Sequence, residues 1–161
     1  MVQDTAAATG KPLLLLLGGS FTPPQAGQRR IALETAEALR PRKTLLLPSA
    51  VPPHKGAGNL LPFSLRCDLL RAALADRESD ADGRPCNGIS IEVSEVEQER
   101  EGPSYTVDTL AVLAERHPAV RPAFIMGSED FSRLDTWRRW PELPDLAALL
   151  VLPRNGGERA E

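Results

Sequence analysis

The chain of 161 residues has little of what marks several common classes of protein. Its two cysteines, Cys67 and Cys86, are too few for a disulfide framework and lack the spacing of zinc ligands. No apolar run approaches the roughly 20 residues that a membrane-spanning helix needs. The segment Met1–Gly10 lacks the positively charged start of a signal peptide. We therefore expect a cytoplasmic protein without a membrane segment, in which Cys67 is a small core residue.

Strong charge of one sign is also missing. Nineteen basic residues against 22 acidic residues give a net charge of -3, which argues against a protein that binds nucleic acid nonspecifically. The basic pair Arg138-Arg139 is therefore interpreted as solvated surface. The length predicts a single domain over residues 1–161, with residues 1–11 expected to be flexible. Oligomeric state is left open, and a homo-oligomer is possible.

What is present is an alternation of strand and helix signals. Apolar runs predict strands at Leu13–Leu17, Thr44–Leu47, Ile89–Val93, Pro122–Met126 and Leu146–Leu152. Helical periodicity predicts helices at Gln28–Leu39, Phe63–Ala75 and from Ser104 to about His117, with Ser104 as the N-cap. This order predicts an α/β protein with a parallel sheet covered on both faces. Ligands of such sheets lie beyond the carboxyl ends of the strands.

The first predicted strand runs directly into a glycine loop. Gly18 and Gly19 would let the backbone approach a ligand closely, and a helix follows within ten residues. A helix N-terminus favours phosphate because its first N–H groups are unpaired and its dipole is positive there. Gly18, Gly19, Ser20 and Phe21 are therefore candidate nucleotide-binding residues.

Four stretches of the sequence together resemble the bacterial nicotinate-nucleotide adenylyltransferase family. They are GGSFTPPQAGQ at 18–28, PSAVPPHK at 48–55, GPSYTVDTL at 102–110 and IMGSEDFSRLDTW at 125–137. The resemblance implies a Rossmann-like, doubly wound parallel sheet in three α/β/α layers. It further implies transfer of AMP from ATP to nicotinate mononucleotide, which yields deamido-NAD and pyrophosphate in NAD biosynthesis, with Mg²⁺ accompanying the ATP phosphates.

The family's HxGH motif is altered here to Gln25-Ala26-Gly27-Gln28. In the family, the two histidines bind the ATP phosphates and stabilise charge in the transition state. A glutamine amide can donate a hydrogen bond but cannot become cationic, and charged donors form bonds roughly twice as strong. The resemblance makes Gln25, Gln28 and Lys55 the candidate catalytic residues, with catalysis expected to be impaired.

Three further positions depart from the family pattern. Thr22 stands where the family usually has Asp, Ala50 where Asn is common, and Glu129 where Asp is usual. The family's C-terminal ISxTxIR segment, which supplies phosphate and adenine contacts, is also expected to be absent from this chain. Gly127 and Glu129 remain candidate nucleotide-binding residues by resemblance.

The mononucleotide side of the family pattern is retained. Ser104, Tyr105 and Thr106 open a helix whose N–H groups could receive the nicotinate carboxylate. Trp137 could stack on the pyridine ring, and Trp140 is expected to pack beneath the last strand. No metal-ligand set is predicted. The acidic run from Glu92 to Glu101 is interpreted as exposed charges on a strand.

Two hypotheses follow, and a third is possible. The first is an adenylyltransferase in which Gln25 and Gln28 still orient ATP while Lys55 and Mg²⁺ supply positive charge. The second is a pseudoenzyme that binds a nucleotide and acts as a sensor or partner-binding module. The third is an adenylyltransferase that acts on another phosphate-bearing acceptor. ATP and nicotinate mononucleotide, or a related nucleotide, are the expected ligands.

Overall fold

The computed structural model describes residues 10–53, 59–75 and 89–153. The described residues form five strands and five α-helices, and at least one helix lies between each strand and the next along the chain. In chain order they are β1 (Leu13–Gly19), α1 (Ala26–Leu39), β2 (Lys43–Pro48), α2 (Phe63–Ala75), β3 (Ile91–Val93), α3 (Thr106–Arg116), β4 (Arg121–Gly127), α4 (Ser128–Ser132), α5 (Leu143–Leu146) and β5 (Ala148–Leu152). Short 3₁₀ turns lie at Val96–Glu99, Leu134–Thr136 and Trp140–Glu142. Among these described helices, none is long and apolar enough to cross a membrane.

The five strands form one parallel sheet with the order β3-β2-β1-β4-β5. From β1 the chain first builds outward through β2 and β3, and then returns to add β4 and β5 on the other side of β1. The strand order therefore reverses between β1 and β4. In sheets of this kind a crevice opens at that point, outside the carboxyl ends of the strands.

Alternate leucines of β1 enter two separate cores. Leu13, Leu15 and Leu17 pack in the cluster that also contains residues of α1 and α2. Leu14 and Leu16 pack in the opposite cluster, with residues of α3 and α5. This division follows from the two-residue period of a strand, and it explains why β1 is continuously apolar instead of alternating. The predicted doubly wound α/β architecture is confirmed.

Element bounds agree with the sequence prediction to within a few residues, and α2 agrees at both ends. The predicted N-cap of α3 is wrong, because Tyr105 holds that position and the helix begins at Thr106. The Ser104 hydroxyl instead accepts a hydrogen bond from the Val51 N–H at 3.1 Å. The Ser104 hydroxyl therefore bonds to a loop that is distant in sequence and does not cap α3. Buried Cys67 confirms the expected core position.

A buried arginine joins three loops near the end of β1. Arg66 of α2 is 1% exposed, and its guanidinium donates to the carbonyl oxygens of Ser20, Ser49 and Leu61 at 2.8, 2.7 and 2.8 Å. These carbonyls belong to the glycine loop, the segment after β2 and the segment before α2. Because one side chain satisfies all three, it fixes the relative positions of the loops. The sequence analysis did not identify this role.

We predict that Arg66→Met lowers the free energy of unfolding by about 3 kcal/mol or more, because it leaves three buried carbonyls without this donor. Urea denaturation measures the change. The matched control is Arg71→Met on the same helix, where the arginine is half exposed and pairs with Asp68 and Glu95 at the surface. That substitution should cost less than about 1 kcal/mol. Equal losses in the two variants would contradict a structural role specific to Arg66.

Candidate functional site

A cavity opens where the strand order reverses. Its floor contains Gly18 and Gly19 at the end of β1 and Ser49 just after β2. The adjacent end of β4 contributes the segment 124–126. These are the carboxyl ends of neighbouring parallel strands, so the cavity lies where the topology predicts a ligand crevice.

The start of α3 forms one wall of this cavity. Ser104, Tyr105 and Thr106, the candidate mononucleotide-binding residues, line it together, and their role stays a prediction. Ser104 is held in place from outside the helix, since its N–H donates to the Val51 carbonyl at 2.8 Å. The first turn of an α-helix has N–H groups without intrahelical acceptors and carries the positive end of the dipole. This wall can therefore receive an anionic group.

Two aromatic residues and an arginine complete the cavity. Trp137 lines it and packs edge-on against Phe124, with ring centroids 6.5 Å apart and planes at 75°. The Arg138 guanidinium carbon lies 4.8 Å from the centroid of the Tyr105 ring, within cation–π distance. Arg138 is exposed, as expected from the sequence, and it also lines the cavity. Trp140, expected beneath the last strand, is 40% exposed instead.

The two glycines of β1 have different steric surroundings. A Cβ atom at Gly18 would lie 3.3 Å from two ring carbons of Phe124, which is a tight contact. A Cβ atom at Gly19 would lie 3.4 Å from the Gln28 amide nitrogen and from the Phe21 ring. Packing against β4 therefore favours glycine at position 18, whereas Gly19 brings the backbone close to Gln28.

The two glutamines of the segment 25–28, Gln25 and Gln28, act in the capping of α1. Gln25 is the N-cap, and its backbone N–H donates to Oε1 of Gln28 at 2.9 Å. The Gln28 amide oxygen is thus engaged by the helix start, while its amide nitrogen lies near Gly19. Neither glutamine lines the cavity. Their catalytic role stays a prediction.

Several other predicted nucleotide contacts also lie outside the cavity lining. Phe21 is 1% exposed and packs in the core with α1 and α2, so a ligand contact through its side chain is not expected. The Ser20 carbonyl accepts from Arg66. Gly127 and Glu129 are exposed at the junction of β4 and α4, while the neighbouring Asp130, which the sequence analysis passed over, lines the cavity. Lys55 lies outside the described residues.

A buried carboxyl group is the main functional candidate that sequence reasoning missed. Glu97 was predicted to be an exposed charge on a strand, but it lies in a 3₁₀ turn, is 7% exposed and lines the cavity. Its Oε1 accepts from the Thr109 hydroxyl at 3.0 Å, while its Oε2 is buried without a hydrogen bond. Burial raises the pKa of Glu97 to about 7, and the hydroxyls of Thr109 and Ser104, the Arg100 charge and the Ala50 backbone N–H oppose the shift only in part.

The described residues contain no group of three or more His, Cys, Asp or Glu side chains that could hold a metal ion. Two carboxyl groups, from Glu97 and Asp130, line the cavity. Mg²⁺ commonly keeps several waters and is bound through one or two carboxylates plus substrate phosphates. Asp130, the exposed carboxylate, therefore fits an ion that arrives with a nucleotide, and buried Glu97 is not assigned to it.

Comparison with known proteins identifies the class to which this fold and cavity belong. The profile of the family described as Cytidylyltransferase-like matches residues 16–155, which is most of the chain. The chain therefore belongs to the cytidylyltransferase-like family of nucleotidyltransferases.

Comparison with curated relatives gives a more specific similarity within the family. The chain is 36% identical over 141 residues to a protein of Pelobacter propionicus named "Probable nicotinate-nucleotide adenylyltransferase", with 88% of the chain and 60% of that protein covered. It is 37% identical over 145 residues to a protein of the same name from Marinobacter nauticus, covering 89% of the chain and 62% of that protein. The chain thus spans about three fifths of the length of these relatives.

Solved structures confirm the fold. The nicotinic acid mononucleotide adenylyltransferase of Plasmodium falciparum, complexed with NaAD, superposes with a TM-score of 0.73 and 16% identity, covering 91% of this chain and 67% of that one. The same enzyme complexed with APC gives a TM-score of 0.70, with 91% and 66% covered. The Rossmann-like architecture expected from the resemblance is therefore confirmed.

We predict that Glu97 makes stability fall as pH rises from about 5 to 8. The folded chain binds a proton at Glu97 up to about pH 7, whereas an unfolded chain releases it near 4.5, so folding is disfavoured progressively across that window. In Glu97→Gln this slope should disappear, which amounts to a gain of up to about 3 kcal/mol at pH 8 relative to pH 5. Urea denaturation across the pH range measures it.

Glu99→Gln provides the matched control from the same turn. Glu99 is exposed and its pKa is lowered by a hydrogen bond from Arg116, so its contribution is constant above its ordinary pKa and is lost only in more acidic solution. The slope between pH 5 and 8 should therefore survive in this variant. An unchanged slope in Glu97→Gln would contradict the assignment.

Proposed function

We propose that this chain is the nucleotide-binding and catalytic part of a nicotinate-nucleotide adenylyltransferase, which transfers AMP from ATP to nicotinate mononucleotide. The observation that carries the proposal is the single cavity in which the glycine end of β1, the N-terminus of α3 and the Trp137 indole meet. The names of the curated relatives and the NaAD complex of the Plasmodium enzyme support the choice of substrates. A cytoplasmic location, expected from the sequence, belongs to the same proposal.

The mononucleotide is assigned to the α3 side of the cavity. Its nicotinate carboxylate would accept hydrogen bonds from the first N–H groups of α3, beginning at Thr106, where the helix dipole adds a favourable potential. The pyridine ring would lie against Trp137, whose orientation is held by Phe124. Arg138, placed over Tyr105, supplies positive charge at the same wall. An anionic aromatic ligand fits this combination.

The reaction needs no nucleophile from the protein. An oxygen of the mononucleotide phosphate attacks the α-phosphorus of ATP, a new P–O bond forms, and the bond between the α-phosphorus and the bridging oxygen breaks to release pyrophosphate. The rate therefore depends on the positions of the two phosphates and on stabilisation of charge. Gly19 lets the backbone approach them, Gln25 and Gln28 offer neutral amide groups at the start of α1, and Lys55 is assigned the cationic role.

Mg²⁺ is assigned to the ATP phosphates and not to a preformed protein site. When bound there, it would offset negative charge on the phosphates. Asp130 is the exposed cavity carboxylate that would hold a water ligand of this ion.

One observation favours a second candidate function, in which the chain binds nucleotide without turning it over. The Gln28 amide oxygen accepts the Gln25 N–H, so the altered motif serves the capping of α1. Its neutral amides offer less stabilisation of transition-state charge than the cationic side chains they replace. A binding module of this type would keep the mononucleotide side of the cavity intact. Affinity and turnover therefore have to be measured separately.

For binding, we predict that Trp137→Ala weakens nicotinate mononucleotide by at least tenfold in calorimetric titration, because the aromatic wall of the cavity is lost. Trp140→Ala is the matched control, since Trp140 is exposed and does not line the cavity. That variant should bind like the parent chain. No binding by the parent chain would refute the proposed function, and equal affinities of the two variants would refute the assigned position of the ring.

For turnover, we predict that the double substitution Gln25→His with Gln28→His raises pyrophosphate release from ATP and nicotinate mononucleotide by at least tenfold, because it restores donors that can carry charge. Gln98→His, at an exposed position that does not line the cavity, controls for adding a histidine. Release by the parent chain alone would establish an enzyme that tolerates glutamine. No gain in the double variant would show that these two positions do not limit the chemistry.

A further inference from the structure

Glu97 is placed where its charge acts on the wall assigned to the mononucleotide carboxylate. Its Oε1 accepts from Thr109, and the Thr109 N–H in turn donates to the Tyr105 carbonyl at 3.2 Å, within the first turn of α3. Ser104, at the start of the same wall, also interacts with the Glu97 carboxyl. The carboxyl group is therefore within one helical turn of the N–H groups that would receive an anion.

Within the part of the chain that the structure describes, no cation forms a salt bridge with the Glu97 carboxylate. The Arg100 guanidinium donates a hydrogen bond to the Thr109 hydroxyl, which in turn contacts Glu97. Arg66 of α2 interacts with Glu97 electrostatically, but its hydrogen bonds go to backbone carbonyls. Asp130 and Arg138 line the same cavity with opposite charges. The Glu97 Oε2 atom is buried without a hydrogen bond. A charged Glu97 is thus poorly compensated, and a second negative charge in the cavity would add to its cost.

We propose that Glu97 is a specificity-determining residue: the cavity binds a mononucleotide with a carboxylate on its pyridine ring preferentially while Glu97 is protonated, so Glu97 takes up a proton on binding where it is ionised in the free chain. This inference rests on the proposed function and specifies the protonation state of Glu97 in which its substrate binds. A ligand that carries a neutral amide at the same ring position adds no charge beside Glu97. Its binding is therefore independent of the protonation of this group.

The direction of the effect follows from linkage. If the anionic ligand binds more tightly when Glu97 is neutral, then ligand and proton favour each other by the same factor. Lowering the pH from 8 to 6 should therefore strengthen binding of the carboxylate ligand and leave the amide ligand unaffected by this group. For two like charges roughly 10 Å apart near a protein surface, the expected ratio is on the order of tenfold.

The test is calorimetric titration of the unmodified chain with nicotinate mononucleotide and with nicotinamide mononucleotide at pH 6, 7 and 8. Each titration is run in two buffers of different ionisation enthalpy, so that proton uptake is read directly. The two ligands share the ribose and the 5′-phosphate, so phosphate titration cancels in their difference. We expect more proton uptake with the carboxylate ligand, and about tenfold tighter binding of it at pH 6 than at pH 8 once the amide ligand's change is subtracted.

Glu97→Gln is the neutral, isosteric variant. In it the extra proton uptake should vanish, and the carboxylate ligand should bind at pH 8 about as tightly as the parent chain binds it at pH 6. A merely structural role for Glu97 would change both ligands alike and would leave the difference in proton uptake intact. Glu99→Gln, from the exposed part of the same turn, should keep the parent behaviour.

A second measurement does not depend on the variant. The carboxyl carbon of Glu97, followed by ¹³C NMR, should titrate at higher pH when nicotinate mononucleotide is bound than when nicotinamide mononucleotide is bound. If both ligands bind with the same proton uptake and the same titration of Glu97, the inference is overturned while the proposed function stands. If neither mononucleotide binds at any pH, both are overturned.

Discussion

The structure depends first on the burial of β1 on both of its faces. This strand lies at the centre of the sheet, with β2 and β4 on either side, and its leucines divide between two cores. Because the strand order reverses beside it, its carboxyl end must open into the crevice. The same residues that hold the two layers of helices against the sheet therefore fix where the glycine loop meets α3 and β4. The burial of β1 therefore determines both the packing of the two helix layers and the position of the cavity.

Two charged side chains interrupt this apolar framework, and they act in opposite ways. Arg66 is buried with three carbonyl partners, so its donors are satisfied and join three loops, while desolvation lowers its pKa. Glu97 is buried with an oxygen that has no hydrogen bond, so its charge costs stability. A group that disfavours the fold at neutral pH is more naturally explained by the cavity it lines than by packing.

The α3 wall of the cavity was predicted from the family resemblance. Periodicity was sufficient to predict the five strands and α1, α2 and α3, because each depends on local pattern, but it did not predict the short helices α4 and α5. It failed where a distant contact decided the outcome. Ser104 has the chemistry of an N-cap, yet its hydroxyl bonds to Val51, which is 53 residues away. Glu97 sits in a run of alternating acids, and nothing local distinguishes the one that turns inward. Phe21 follows the glycines like a ligand contact, but its ring belongs to the core.

The contact between Gly18 and Phe124 has a wider consequence for how glycine motifs are interpreted in this fold. The Phe124 ring occupies the space that a side chain at Gly18 would need, and the same ring sets the tilt of the Trp137 indole. A larger residue at this position would need that ring to shift by a few tenths of an ångström, whether or not the protein binds phosphate. Glycine at position 18 is thus explained by packing alone and is weak support for nucleotide binding.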